Sequence, residues 1–284
     1  MEQYIDFTNC EKSGIQYSGS EKKLGIIYQG EYYMLKFRKD VNERKTYNHI
    51  SEYLSSHIME LAGLDVHQTV LGTYQYEEVV AVKDFIAGTG FSLTEFALGG
   101  DSSYDTERQE HTAYTYDEIL YLVQKHIKIS DPEEIVRRFW EMFVLDALLA
   151  NFDRHGYNWG FIKNGIYRLA PVYDNGSSLF PRLQDDEIQA ILDSREEMDK
   201  RTYTFPTSQI KINNKKSSYF EVVQSHMFEE CDRAAERVFG VLDFTKVDAL
   251  ISEIVSISDM RKRFYKEMIA YRYKHIFNFI MESI

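Results

Sequence analysis

Along the first third of the chain, apolar residues recur in short β-prone runs. Further on they recur at helical spacing. LGIIYQ (24–29) and YYMLKF (32–37) flank Gly30-Glu31, which predicts a β-hairpin. A helical pattern then runs from Tyr47 to Ala62 and stops at Gly63, a residue type suited to a helix C-terminus. VHQTVLGTYQY and EEVVAVKDF, residues 66–85, predict two more strands. After IAGTGF the pattern changes, and 99–111 is polar enough to predict a loop. From about residue 115 helices dominate. Asp131-Pro132 predicts an N-cap followed by a first-turn proline. The helix it opens buries Ile135, Phe139, Met142, Leu145 and Leu149 as one stripe. WGFI and YRLAPVY predict a second hairpin, turning at Lys163-Asn164-Gly165. More helices are expected beyond it, the longest over 258–281. The chain is therefore α+β, with a β-rich front of residues 1–85 and a helical back of residues 86–284.

Composition narrows the classes. The 284 residues are 44% apolar and 27% charged, enough for a sizeable core. The net charge of −12 disfavours direct binding of nucleic acid. The two cysteines, Cys10 and Cys231, have no metal-like spacing and give no disulfide framework. MEQYIDFTNCEK lacks the pattern of a signal peptide, and no apolar run has the length of a membrane span. A cytoplasmic protein with no membrane partner is the expectation.

The chemistry concentrates in LANFDRHGYNWGF (149–161), directly after the apolar helix. Asp153 and Asn158 stand five residues apart, and VYDNGSS places Asp174 after the second hairpin. This order (D-x4-N, a hairpin, then D-x-G) is the order in which a kinase sets its catalytic base and its two metal ligands. Phosphoryl transfer needs a carboxylate to take the proton of a hydroxyl, and hard oxygen ligands for a Mg²⁺ that bridges phosphates. Asp153 fits the first need, Asn158 and Asp174 the second. Gly176 is expected to let the backbone turn behind Asp174. Either motif alone reads equally well as turn and cap residues. His155 either orients Asp153 or the phosphates, or fixes the loop through local bonds, and the second role is favoured.

Upstream, Lys36 on its strand is placed to reach ATP phosphates, and Glu52 on the next helix to pair with it. Ser18, Gly19 and Ser20 could bring backbone N–H groups to the phosphates, with Lys22 or Lys23 adding charge, although the glycines do not match G-x-G-x-x-G. VVAVKDF stands where a hinge would hold adenine through backbone groups near Lys83 and Phe85. On the last helix, Arg261, Lys262, Arg263, Lys266, Arg272 and Lys274 read as a solvated face, with docking of an acidic partner the lesser alternative.

NFDRHGYNWGF followed by LAPVYDNGSSL resembles the HipA-like serine/threonine kinases, particularly their short, single-protein members. The resemblance implies a two-lobed kinase fold related to the phosphatidylinositol 3/4-kinase type, with a small β-rich N-lobe that binds nucleotide and a larger helical C-lobe. It implies ATP and Mg²⁺ as cofactors, Asp153 as base, Asn158 and Asp174 on the metal, Lys36 on ATP, and a protein substrate. In such kinases a serine of the phosphate loop is autophosphorylated, and Ser18 or Ser20 would be its counterpart. The toxin members carry an extra N-terminal β-subdomain and act with a DNA-binding antitoxin. This chain begins almost at the phosphate loop, which argues against that partnership. Two other readings keep the nucleotide site: a kinase of small molecules or lipids, and a non-catalytic pseudokinase. Phosphorylated protein bands separate the first from a protein kinase, and stabilisation by ATP without transfer marks the second.

Overall fold

The computed structural model describes residues 4–17, 22–42, 44–99, 115–125, 129 and 131–282. Two very short strands, β1 (Ile5–Asp6) and β2 (Glu11–Lys12), precede the hairpin of β3 (Lys23–Tyr28) and β4 (Glu31–Phe37). A small exposed hairpin, β5 (Asp40–Val41) and β6 (Arg44–Lys45), leads into helix α1 (Asn48–Leu61). β7 (Thr69–Tyr74) and β8 (Glu77–Lys83) complete a six-stranded sheet in the order β1-β7-β8-β4-β3-β2, antiparallel except for β1 against β7.

Strand periodicity decides what each face of this sheet carries. On β4, Leu35 and Phe37 turn to one face, where they pack with Phe7, Ile26, Tyr74, Val79 and Ala81. Met34 and Lys36 turn to the other, where Leu71, Val80 and Val82 meet α1. Lys36 is thus a charged residue on a core-facing position, 5% exposed. Helix α1 is buried on nearly every side, because the sheet covers one flank and the helical part of the protein the other.

The helical part begins with β9 (Ser92–Glu95), α2 (Phe96–Gly99) and α3 (Tyr116–Lys125). Helix α4 (Pro132–Leu149) starts as the sequence predicts, with the Asp131 carboxylate accepting from Glu134 N at 3.0 Å. It ends at Ala150, whose φ of 55° stops the helix in a left-handed turn. All five residues of the predicted stripe are buried, and so is most of the helix from Phe139 onward.

β10 (Gly160–Asn164) and β11 (Ile166–Leu169) form the second hairpin, and β9 pairs with β10 to make a three-stranded sheet. Then come α5 (Asp185–Leu192), α6 (Arg195–Asp199) and a π-helical turn over Lys200–Thr204. The hairpin of β12 (Thr207–Ile212) and β13 (Lys215–Ser218) interrupts a region expected to be mostly helical, where no hairpin was expected. α7 (Tyr219–Gln224), α8 (Glu229–Val241) and α9 (Phe244–Glu253) follow. The expected 258–281 helix is two, α10 (Asp259–Ile276) and α11 (Asn278–Glu282), so its first part equals α4 in length at 18 residues.

The basic face expected of that last helix is also corrected. Arg261 and Arg272 are fully buried, not solvated. The Arg261 guanidinium lies 3.4 Å from the Tyr47 ring centroid and donates to Leu183 O at 2.6 Å. Arg272 donates to Ala147 O at 2.8 Å and to Arg201 O. The main apolar core runs without a break from the α1 side of the sheet through α4 to α10.

Candidate active site

The end of α4, the loop after it and the loop after β11 converge beneath α1. Lys36 is the centre of this junction. Its Nζ donates to Glu52 Oε2 at 3.0 Å and to Asp174 Oδ1 at 2.5 Å. Burial alone would lower the lysine's pKa, but the Asp174 and Glu52 carboxylates more than offset it and hold the ammonium charged. Burial likewise works against the two carboxylates, and Lys36 brings both below the ordinary range.

Glu52 has further partners. Its Oε1 accepts from Asn175 N at 3.0 Å and lies 3.0 Å from His67 Nε2. His67 Nε2 is also 3.0 Å from Ser56 Oγ, which accepts from Asn175 Nδ2 at 3.0 Å. Asp174 stands in a left-handed conformation, φ 56°, and it is this residue that turns the chain. Gly176 was expected to supply that turn. Its φ is not positive; a Cβ there would instead lie 2.9 Å from Glu52 Oε2 and 3.2 Å from Asn48 O. The glycine permits close approach of α1 to the loop.

Beneath this network Arg154 is buried and makes a fork of bonds. It donates to Asp146 at 2.8 and 3.0 Å, to Asn158 O at 2.8 Å, to Tyr173 O at 2.5 Å and to Asn175 Oδ1 at 2.5 Å. One planar cation therefore ties α4, the Asp153 loop and the Asp174 loop together. Asp146 is fully buried and also accepts from Asn151 Nδ2 at 2.9 Å.

Asp153 is held by its backbone, which donates to Asn151 Oδ1 at 3.0 Å and accepts from Asn158 Nδ2 at 2.7 Å. That bond leaves the Asn158 amide oxygen as a hard donor on the same loop as Asp153. The Asp153 carboxylate is half exposed. Burial raises its pKa, with Asp174 adding to the rise, while His155, Arg154 and Arg182 pull it back. His155 Nε2 lies 3.7 Å from Asp153 Oδ1, whereas its Nδ1 accepts from Tyr157 N at 3.2 Å. The local bond is the one formed, in line with the loop-fixing role.

A sequence profile of the HipA-like C-terminal domain matches residues 15–257. The serine/threonine-protein kinase CtkA of Helicobacter pylori (strain J99 / ATCC 700824) is 33% identical over 276 residues, spanning 93% of this chain and 84% of that protein. This chain belongs to the HipA-like family. The crystal structure of the Helicobacter pylori proinflammatory kinase CtkA superposes with a TM-score of 0.91 at 32% identity, covering 99% of this chain and 97% of that one. HipA of the Shewanella oneidensis MR-1 toxin–antitoxin system, solved with HipB and operator DNA, shares the fold at a TM-score of 0.63 and 14% identity, covering 96% of this chain and 67% of HipA. The two-lobed, kinase-like α+β architecture is thus that of the family.

Around this HipA-like centre the remaining expected residues distribute unevenly. Lys23 pairs in register with Lys36 and shares its face, whereas Lys22 turns away. Lys22 Nζ lies 2.5 Å from Glu77 Oε1 and 4.0 Å from the Phe37 ring centroid, on the opposite face of the sheet. Ser18, Gly19 and Ser20 lie outside the described residues. Tyr17, just before them, donates its hydroxyl to Asp84 Oδ2 at 2.8 Å. The Asp84 carboxylate also accepts from Ile86 N at 2.8 Å and Ala87 N at 2.9 Å. In the expected hinge, the Lys83 backbone N–H is already committed to Gln68 O at 2.8 Å, and its side chain lies 3.6 Å from Glu31. This removes the Lys83 N–H as a donor to a base. Phe85 sits beside Tyr173, with ring centroids 6.0 Å apart.

Among the described residues no group of three or more His, Cys, Asp and Glu side chains could hold a metal ion. A Mg²⁺ held by one carboxylate, one amide oxygen and substrate phosphates needs no such group. The donor set of Asp174 and Asn158 fits it. No helix among the described residues is long and apolar enough to cross a membrane.

Proposed function

We propose that this HipA-like protein is an ATP- and Mg²⁺-dependent protein kinase that phosphorylates serine or threonine. The observation that carries the reading is the Lys36 ammonium bonded to both Glu52 and Asp174 at the junction of the lobes. A strand lysine, a helix glutamate and the aspartate of D-x-G meet there, with Asp153 and Asn158 on the adjoining loop. The activity named for CtkA, a relative that aligns over most of the chain, supports it.

In this reading residues 1–85 form the nucleotide-binding lobe and 86–284 the catalytic lobe. Lys36 binds the α/β-phosphates and Glu52 fixes the Lys36 side chain. Asn158 and Asp174 would hold Mg²⁺, which when bound supplies charge neutralisation between the phosphates. Phe85 and its neighbours face the base. Asp153 orients the acceptor hydroxyl and takes its proton. The hydroxyl oxygen bonds to the γ-phosphorus as the bond from that phosphorus to the bridging oxygen breaks, and ADP leaves. Its raised pKa makes Asp153 a stronger base than a solvated aspartate.

We extend the reading to self-phosphorylation at Ser18 or Ser20. A phosphate there would place negative charge where ATP phosphates bind. The protein incubated with ATP and Mg²⁺ should gain phosphate on serine or threonine by mass spectrometry, with Ser18 or Ser20 among the sites. Asp153→Ala should gain none. Equal phosphorylation of the two proteins would contradict the assignment of Asp153.

A further inference from the structure

Beyond the nucleotide site, a cation stands over the residue before Asp153 with no acidic partner among the described residues. Arg182 is exposed, and among the described residues it forms no ion pair. Its guanidinium carbon lies 5.6 Å from the ring centroid of Phe152, the residue before Asp153. Its charge acts on Asp153. Arg182 therefore stands by the Asp153 loop, and no bond among the described residues ties it to Lys36, Glu52 or Asp174.

The backbone displaying Arg182 is fixed by unusual means. Leu179 and Phe180 are consecutive non-glycine residues at φ 57° and 54°. Such conformations are strained for residues with a side chain and persist only where surroundings hold them. Here Leu179 N donates to Leu149 O at 2.8 Å, tying the turn to the end of α4. Pro181 O accepts from Tyr47 N at 2.8 Å, and Leu183 O accepts from the buried Arg261 at 2.6 Å. Both neighbours of Arg182 are pinned while its side chain reaches solvent over an aromatic shelf. Phe205, 46% exposed, packs against Phe180 of the same turn, with ring centroids 6.0 Å apart. A strained, anchored turn that presents an unpaired guanidinium is a binding device rather than a solubilising charge.

We propose that Arg182 is a specificity-determining residue that selects acceptor serines or threonines with an acidic side chain close by, the Phe152 ring packing beneath the guanidinium. This rests on the protein-kinase reading above. A guanidinium presented beside the base matches a carboxylate in planar geometry and repels a basic acceptor segment.

The test uses the full chain and a set of synthetic peptides with one serine, carrying Glu, Gln or Lys at successive positions around it. Self-labelling from γ-labelled ATP is followed in the same tubes, with Asp153→Ala as control. Wild type should prefer a Glu peptide over its Gln counterpart by about five-fold in kcat/KM, the scale of a partly exposed ion pair. Arg182→Ala should erase that preference, and Arg182→Glu should reverse it towards the Lys peptide. An equal Glu-to-Gln ratio in wild type and Arg182→Ala would overturn the proposal. So would Asp153-dependent self-labelling with no peptide labelled. An equal loss on every peptide in Arg182→Ala would place the guanidinium on the nucleotide and overturn it too. Absence of any Asp153-dependent label, on protein or peptide, would instead bring down the kinase reading and this inference with it.

Discussion

Asp153 is set between opposing influences. Burial and Asp174 raise its pKa, while His155, Arg154 and Arg182 restrain the rise. The base must be ionised to accept a proton, so kcat/KM should fall on acidification with a midpoint above the ordinary value of 3.8. A pH–rate profile checks this, and a midpoint at or below that value would contradict it. The same shift has a cost for folding. A carboxyl whose folded pKa is raised favours the native state only while protonated, and that benefit is lost as pH rises through the folded value. Asp153→Asn should therefore have a higher Tm than wild type at pH 7, with the difference shrinking below pH 4 in a thermal denaturation series. Another residue-scale expectation concerns His67, which no motif singles out. Its Nε2 lies 3.0 Å from Glu52 Oε1 and braces the partner of Lys36. His67→Leu should raise KM for ATP more than it lowers kcat, since it loosens the lysine without touching Asp153. Steady-state kinetics decide between that outcome and a loss confined to kcat.

At the scale of elements, Arg154 is the joint between α4, the Asp153 loop and the Asp174 loop. Arg154→Leu leaves the fully buried Asp146 carboxylate without its cation and should destabilise the protein by about 3–5 kcal/mol, read by chemical denaturation. Elements with a strong period were legible in the chain. The β3–β4 hairpin, α1 and α4 lie within a residue or two of where the patterns placed them. The β12–β13 hairpin was not legible: KKSS and TSQIKI carry little apolar alternation, and what they bury includes Ser208, Gln209 and Ser217. The buried Arg261 and Arg272 misled in the same way. Their partners are carbonyls of Leu183 and Ala147, distant in sequence, so a charge on a helix read as solvated. The site followed the same division. Motif residues Asp153, Asn158 and Asp174 could be named in advance, whereas Asn175, Ser56 and His67 act through contacts that only the folded chain creates. The Lys36–Glu52 pair is intermediate. Its strand and helix were legible, and the contact itself depended on Gly176 letting α1 approach.

At the scale of the whole molecule, the lobes are joined by more than a hinge. Val66 bridges Val172, His67 N donates to Val172 O at 3.0 Å, and Val172 N donates to Asp65 O at 2.8 Å. Asn175 N bonds Glu52, and the apolar core is continuous from the sheet to α10. Helix α1 is consequently fixed to the catalytic side by main-chain bonds, and Lys36, Glu52 and Asp174 are held in register. Such coupling predicts one cooperative thermal transition rather than one for each lobe, with calorimetric and van't Hoff enthalpies in agreement. It also predicts that ATP with Mg²⁺, if it binds across the junction as proposed, raises that single Tm. The central claim is that this junction binds nucleotide while Asp153 performs the transfer. The most direct measurement is therefore made on Asp153→Ala, with equilibrium binding of ATP and transfer of γ-label to serine or threonine followed on one sample. Binding close to wild type with no transfer is the predicted result. Transfer that survives the substitution would contradict it.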